Sequence, residues 1–181
     1  MNEYPSSATP RRIIGLREIC EVNGRTLTRL RGTQQWTEHS SALEIPDSSL
    51  SSINLSLVLE DQGEGEPRHW FLFVGRENEP GYVYQVKGDA EYMTYEPSEG
   101  PVEIASAEIC LDIYHIAVVN EEEALSIRKV AESEPPPRAP SQRLVTENCQ
   151  GWTIRVLSRL VDMRIVASEK YQMAHAMLQP V

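Results

Sequence analysis

Basic charge is scarce in this chain of 181 residues. It has 17 Lys and Arg residues against 27 Asp and Glu residues, and its formal net charge is -10. No basic cluster interrupts the acidic background. Nucleic acids and anionic membrane surfaces attract proteins mainly through lysine and arginine. We therefore expect neither of them to be a partner of this chain.

Long apolar segments are also missing. The longest apolar runs fall far short of the roughly 20 residues that a helix needs to cross a bilayer, so no transmembrane segment is predicted. The first residues do not combine a basic start with an apolar stretch, so no signal peptide is predicted either. These two absences favour a cytoplasmic protein.

Cysteine is rare, and its spacing suits neither a disulfide framework nor a zinc site. The three cysteines are Cys20, Cys110 and Cys149, an odd number that lies far apart in the chain. The four histidines, at positions 39, 69, 115 and 175, also lack the short ligand spacing of zinc sites. We expect no metal and no cofactor.

A series of strand patterns is followed by helix patterns. Apolar and polar residues alternate from Ile53 to Leu59, which is typical of a half-buried strand. Further strands are predicted at 69–74, 82–87, 91–95 and 109–119, and helices at 121–132, 149–164 and 167–178. Strands first and helices last indicate an α+β domain with an antiparallel β-sheet packed against helices.

The first 50 residues are predicted to form a partly irregular N-terminal extension before the main domain at 51–181. Residues 13–30 carry a mixed pattern, but Asn23 and Gly24 favour a tight hairpin over a helix. Residues 31–52 are rich in Ser, Thr and Gln, which predicts a loop. A run of prolines at 134–141 predicts a linker or surface loop inside the main domain.

The helix predicted at 149–164 is amphipathic and begins at a cysteine. Asn148 or Thr146 is a suitable N-cap, because each side chain can accept a hydrogen bond from a backbone N–H group of the first turn. Cys149 would then lie in the first turn, where the positive end of the helix dipole lowers the pKa of a thiol. This position predicts a nucleophile. The alternative is a small buried residue that packs at the helix start.

His69 is the candidate base for this nucleophile. If its strand and the next one form a hairpin centred near Asn78, Phe71 lies opposite Gln85. His69 and Gln85 are then diagonal neighbours on one face of the sheet. The Gln85 amide could bond an imidazole nitrogen and select the tautomer of the ring. The alternative for Gln85 is a polar residue that faces solvent.

His115 is the reserve base. It has the same strand parity as Ile113 and Ala117, so we expect all three on one face. This position predicts a core histidine with one bonded ring nitrogen.

Three aromatic residues lie close to these candidates in the sequence. Trp70 follows the histidine, Trp152 lies in the first turn of the cysteine helix, and Tyr84 precedes the glutamine. We predict that Trp70, Trp152 and Tyr84 contribute to substrate binding. Packing in the core is the alternative for all three.

Three segments resemble one known family. The runs H-W-F-L-F-V-G at 69–75 and Y-V-Y-Q-V at 82–86 resemble the H-W-A-L-Y-V-G and V-I-H-L strands of lecithin:retinol acyltransferase-like proteins. The run N-C-Q-G-W at 148–152 resembles their N-C-E-H-F at a helix start. That family has a circularly permuted papain-like fold, in which the histidine strand precedes the cysteine helix. The related NlpC-type cell-wall peptidases use His, Asn or Gln as a third member.

The resemblance implies roles for individual residues. Cys149 matches the nucleophile and His69 the base. Gln85 stands where the acyltransferases have a second histidine, and it agrees better with the third member of the NlpC-type enzymes. Gln150 and Gly151 replace a glutamate and a histidine of the acyltransferases. These departures affect the expected lipid acyl transfer more than the expected fold.

The implied function is that of a cysteine-dependent hydrolase or acyltransferase that forms an acyl-enzyme on Cys149. Its substrate would be an amide, ester or thioester of a small molecule or lipid, as for a tailoring enzyme of a biosynthetic pathway. Two other functions fit the same residues: a non-catalytic binding or interaction module, and a cyclase or isomerase that uses the His–Cys pair for proton transfer. If Cys149 has a lowered pKa, it should react with iodoacetamide at about pH 6, before Cys20 and Cys110 do.

Overall fold

The computed structural model describes Pro5 and residues 9–14, 16–38, 52–104 and 111–181. Within these residues, ten strands precede three helices, which confirms the α+β class. The strands are β1 (Arg12–Ile14), β2 (Arg17–Val22), β3 (Arg25–Leu30), β4 (Thr37–Glu38), β5 (Ile53–Glu60), β6 (His69–Arg76), β7 (Tyr82–Tyr84), β8 (Val86–Asp89), β9 (Tyr92–Tyr95) and β10 (Leu111–Val119). The helices are α1 (Glu121–Ser133), α2 (Cys149–Asp162) and α3 (Ser168–His175), and a short 3₁₀ helix covers Gln142–Leu144.

The central sheet has the strand order β10-β5-β6-β7, and each neighbouring pair is antiparallel. Alternate residues of β5 and β6 form one apolar face, which packs against α1 and α2. Side chains without exposed surface in this core include Leu55, Leu57, Trp70, Leu72, Ile127, Trp152, Val156, Leu157 and Leu160. Full burial of one such aliphatic side chain contributes about 1.5–3 kcal/mol, so this layer holds the helices on the sheet.

The hairpin between β6 and β7 has the predicted register. Leu72 pairs with Tyr84 and Val74 pairs with Tyr82. Asn78 at the turn has a positive φ of 61°, which asparagine tolerates better than most residues. The predicted strand at 82–87 is wrong at Gln85, because the ladder ends at Leu72 and Tyr84 and the predicted pairing of Phe71 with Gln85 does not form. The chain continues into β8, which pairs with β9 instead. Helix α2 contacts both β6 and β8, so it packs across these two strands beyond the end of the β6–β7 ladder.

The predicted N-terminal hairpin is confirmed. Strands β2 and β3 pair across Asn23 and Gly24, whose φ values of 53° and 76° suit a type I′ turn. The predicted loop over 31–52 is wrong at Thr37–Glu38, which forms β4 beside β3. Pairing at a sheet edge needs only backbone N–H and C=O groups, so a segment without a strand pattern can join it. Residues 39–51 lie outside the described residues.

The N-terminal sheet, with the order β1-β2-β3-β4, is tied to β10 and α3. The His115 N–H donates to the carbonyl oxygen of Arg31 at 2.9 Å, and the Arg31 guanidinium donates to Asp112 at 2.5 Å. Lys170 donates to the carbonyl oxygens of Gly32 and His115. The predicted irregular extension therefore contains a sheet in contact with the main domain.

Strand β10 contains a bulge that interrupts the predicted alternation. Its pairing with β5 shifts between His115 and Ala117, so the prediction that these two residues share a face is wrong. Ala117 packs against the core beneath the helices, while His115 remains on the side of Ile113. A bulge adds one unpaired residue to a strand, and the apolar pattern does not reveal it. Residues 109–110, predicted in this strand, lie outside the described residues.

The helix starts and ends differ in detail from the predictions. Helix α1 begins at a capping box, in which Asn120 and Glu123 exchange side-chain to backbone hydrogen bonds of 2.9 Å. Helix α3 is shorter than the predicted range of 167–178. None of the helices in the described part of the chain is long and apolar enough to span a bilayer.

Candidate active site

Cys149 is the first residue of α2. The Asn148 side chain accepts a 2.9 Å hydrogen bond from the Gln150 N–H, so the predicted N-cap at Asn148 is confirmed. Cys149 is 4% exposed and still contributes to the lining of a surface cleft. The first turn of α2 therefore places Cys149, largely buried, at the wall of this cleft.

The prediction that the Cys149 thiol has a lowered pKa is wrong. Burial raises the pKa of this thiol above its ordinary value. The backbone N–H groups of Trp70, Gln150 and Cys149 itself act in the opposite direction but do not reverse the shift. Desolvation disfavours the thiolate more than these dipoles favour it. The resting group is a neutral thiol, and early labelling by iodoacetamide near pH 6 is not expected.

His69 lies at the start of β6 and is 7% exposed. Its Nε2 atom is 2.9 Å from Oε1 of Gln85, so the predicted contact between the two side chains is confirmed. Because a glutamine oxygen can only accept, this contact is a hydrogen bond in the tautomer that carries the ring proton on Nε2, and that tautomer leaves Nδ1 able to accept a proton. The ring also lies against Phe71, with centroids 6.0 Å apart.

One cleft of about 900 Å³ is lined by both Cys149 and His69. Its wall carries four carboxylate residues and two further basic residues: Glu60, Asp61, Glu66, Asp89, Arg68 and Lys87. Five apolar residues also line it: Pro67, Ala90, Met93, Val145 and Val181. Among the residues that the structure describes, no group of three or more His, Cys, Asp or Glu residues could hold a metal ion. The two candidate reacting groups thus share a polar cleft.

The predicted substrate contacts of three aromatic residues are not present at this cleft. Trp70 and Trp152 have no exposed surface and pack in the core beneath the sheet. Tyr84 is also buried and lines a separate cavity of about 300 Å³, together with Tyr82 and Arg128. The alternation of β6 and β7 and the apolar face of α2 direct these rings into the core, which is the alternative interpretation.

His115, the reserve base, lies away from the cleft. Burial, with a smaller contribution from Lys170, lowers its pKa to about 4. Its Nδ1 atom has no hydrogen-bond partner among the described residues, so the prediction of one bonded ring nitrogen stays a prediction for Nε2. It is therefore a neutral core histidine. His39 and Cys110 lie outside the described residues.

A family model matches residues 55–167, from β5 to the residue before α3. This span is more than half of the chain and contains His69, Gln85 and Cys149. The chain belongs to the DUF6540 family. DUF6540 is described as a family of unknown function. No curated protein and no solved structure matches the chain.

Two residues of the DUF6540 region have structural roles at the site that the sequence did not predict. The sequence analysis names them only as positions that differ from the acyltransferase motif. Gln150 is completely buried, and its side chain bonds residues from two other segments. Gly151 leaves room for the Glu147 side chain, which forms an ion pair with Arg155. The role of Gln150 depends on two distant segments, and the role of Gly151 depends on how the Glu147 side chain packs against it. No local sequence pattern reveals either role.

Replacing Gly151 with alanine is expected to destabilise the protein by about 1 kcal/mol. The new Cβ would lie 2.3 Å from Cγ of Glu147. Overpacking typically costs about 1–3 kcal/mol, whereas alanine in place of glycine inside a helix contributes roughly 1 kcal/mol. Urea denaturation followed by circular dichroism measures the net change.

The sign of this effect should reverse when Glu147 is removed. In a Glu147→Ala background, Gly151→Ala meets no glutamate side chain and should stabilise the helix. Gly100→Ala is a second control, because no atom lies within 4 Å of its added Cβ. Stabilisation by Gly151→Ala in the otherwise unchanged protein would show that Glu147 does not occupy this space.

Proposed function

We propose that the protein is a cysteine-dependent hydrolase or acyltransferase with a circularly permuted papain-like arrangement. Cys149 is the nucleophile, His69 is the base, and Gln85 orients the imidazole. The observation that carries the proposal is the shared cleft, lined by a cysteine at a helix start and by a histidine whose Nε2 is held by Gln85. The order of the histidine strand and the cysteine helix agrees with the resemblance.

The neutral resting thiol favours general-base catalysis over a preformed thiolate. In this mechanism, His69 Nδ1 takes the thiol proton while the sulfur attacks the carbonyl carbon of the substrate. The imidazolium then gives the proton to the leaving amine, alcohol or thiol, and an acyl-enzyme remains on Cys149. Water or another nucleophile resolves it, with His69 again moving the proton.

The backbone N–H groups around the sulfur support the charge that develops in this step. Those of Trp70, Gln150 and Cys149 act to lower the pKa of the thiol and so favour its anionic form. The N–H of Cys149 is also one candidate donor to the oxyanion of the tetrahedral intermediate, because it lies at a helix N-terminus.

The lining of the cleft favours a polar acyl substrate over a lipid. Sites for lipid chains are lined mainly by apolar side chains. Here, six carboxylate and basic residues line the wall beside five apolar ones. We therefore propose a polar small-molecule amide, ester or thioester as the substrate.

A non-catalytic binding module is the second candidate. The observation that favours it is the low exposure of Cys149 together with its raised pKa, since both slow the reaction of a thiol. In this alternative, the same cleft binds a polar ligand without forming a bond to sulfur.

A covalent trap separates the candidates. Incubation with p-nitrophenyl acetate should release a burst of about one nitrophenolate per chain and add one acetyl group to Cys149. Intact mass spectrometry and peptide mapping locate the adduct. Cys20→Ala should retain the burst, and Cys149→Ala should abolish it. A protein without any burst or adduct would be the binding module, or an isomerase that only transfers protons.

A further inference from the structure

Gln150 carries a buried amide whose polar atoms are all directed at two other segments. Its Nε2 donates to the carbonyl oxygen of Arg68 at 2.8 Å and to Oε1 of Gln179 at 2.9 Å. Its Oε1 accepts from the Gln179 N–H at 2.9 Å. Gln179 Oε1 also accepts from the Arg68 N–H at 2.8 Å. We call these four hydrogen bonds the amide clamp.

The amide clamp joins the two halves of the candidate active site. Gln150 directly follows Cys149, and Arg68 directly precedes His69. Gln179 lies after α3 and bridges the two. A buried amide must be satisfied with good geometry, because each unpaired group costs roughly 1–3 kcal/mol. The clamp therefore restricts where the first turn of α2 can lie relative to the start of β6.

We propose that Gln150 and Gln179 are positioning residues that set the separation of the Cys149 sulfur and the His69 imidazole. This inference rests on the proposed function. Neither side chain reacts; both act through the backbone next to the reacting residues. Proton transfer from thiol to imidazole depends steeply on their separation, and a displacement of 1 Å can cost about 100-fold in rate.

Gln179 allows a matched pair of variants, because its side chain takes part in the clamp only through Oε1, which accepts from the Arg68 N–H and from Nε2 of Gln150. Gln179→Glu keeps an acceptor of the same length at this position. Gln179→Met keeps the length and removes the acceptor. The backbone N–H of residue 179 is present in both variants, so they differ in the clamp bonds of one side-chain oxygen.

The first measurement is acetylation of Cys149 by p-nitrophenyl acetate in the full chain. For Gln179→Met we expect the maximal acylation rate to fall about tenfold or more, with little change in the half-saturating ester concentration. Gln179→Glu should retain most of the rate. An equal loss in both variants, no loss in either, or a lowered melting temperature with an unchanged rate would overturn the proposal.

The second measurement does not depend on catalysis. The Trp70 N–H helps to lower the pKa of the Cys149 thiol, and α2 packs against β6. Hydrogen exchange at Trp70, followed by NMR, therefore reports whether α2 stays against β6. Exchange should accelerate at Trp70 in Gln179→Met and not in Gln179→Glu, while amides of α1 stay protected. If His69→Ala leaves acylation unchanged, the proposed function fails. The exchange at Trp70 then tests by itself whether the amide clamp holds α2 against β6. Unchanged exchange at Trp70 would refute it.

Discussion

Replacing His69 with alanine is expected to slow the acylation of Cys149 by about 10²–10⁴-fold, the usual contribution of a general base. The effect should be large because burial raises the pKa of the Cys149 thiol, so little thiolate forms without a proton acceptor. The burst rate with p-nitrophenyl acetate near neutral pH measures it. The melting temperature of the variant shows whether the fold is retained.

Two substitutions control this result. His175→Ala removes an exposed histidine on α3 and should leave the burst rate unchanged. Gln85→Ala removes the 2.9 Å contact at Nε2 while keeping the imidazole, so a smaller loss is expected. A His69→Ala protein that acylates as fast as the unchanged protein would exclude His69 as the base. Equal losses in His69→Ala and His175→Ala would indicate a general loss of structure instead.

Replacing Glu134 with alanine is expected to destabilise the fold by about 3 kcal/mol, the lower part of the range for breaking a buried ion pair. The Glu134 carboxylate accepts from Arg155 at 2.6 Å and from Arg159 at 3.1 Å. It is largely buried, whereas both arginines are partly exposed and can recover some hydration. Urea denaturation followed by circular dichroism measures the loss.

This effect should be specific to the buried carboxylate. Glu121→Gln removes an exposed ion pair with Arg76 and should cost less than about 1 kcal/mol. Glu134→Gln should fall between the two, because its amide oxygen still accepts one hydrogen bond. If Glu134→Ala and Glu121→Gln cost the same, the contact between the Glu134 side chain and α2 contributes no more than a surface pair.

Glu134 also explains how the proline-rich loop is held. Its carbonyl oxygen accepts a 3.1 Å hydrogen bond from Nε1 of Trp152, and Arg155 donates to the carbonyl oxygen of Pro135 at 2.6 Å. The loop predicted at 134–141 is thus attached to the same helix that begins at Cys149. Destabilisation at Glu134 should therefore reach the candidate site through α2.

The contact between His69 and Gln85 could be predicted from the sequence because strand alternation has a period of two. Once Asn78 is taken as the turn centre, the register places Leu72 opposite Tyr84, and Gln85 follows Tyr84 directly. The N-cap at Asn148 was predictable for a similar reason, since capping depends on a side chain and a backbone group two or three residues apart. Both features are set within short stretches of chain.

The properties that depend on surroundings could not be predicted in this way. The helix dipole at Cys149 is a local feature, but the burial that outweighs it comes from strands and loops packed around the sulfur. The bulge at His115 and the core positions of Trp70 and Trp152 likewise follow from how the sheet meets its neighbours. Desolvation and packing are sums over distant segments, and the spacing of residues along the chain does not contain them.

The amino-acid sequence by itself determined the α+β class, the register of the β6–β7 hairpin and the residue at which the cysteine helix begins. Tertiary structure alone decided that His69 and Cys149 line one polar cleft, that the thiol rests in its neutral form, and that Gln150 joins Arg68 to Gln179. The physical reason is the range of the forces involved: hydrogen bonds within a turn act between near neighbours in the chain, whereas burial depends on every segment that excludes water.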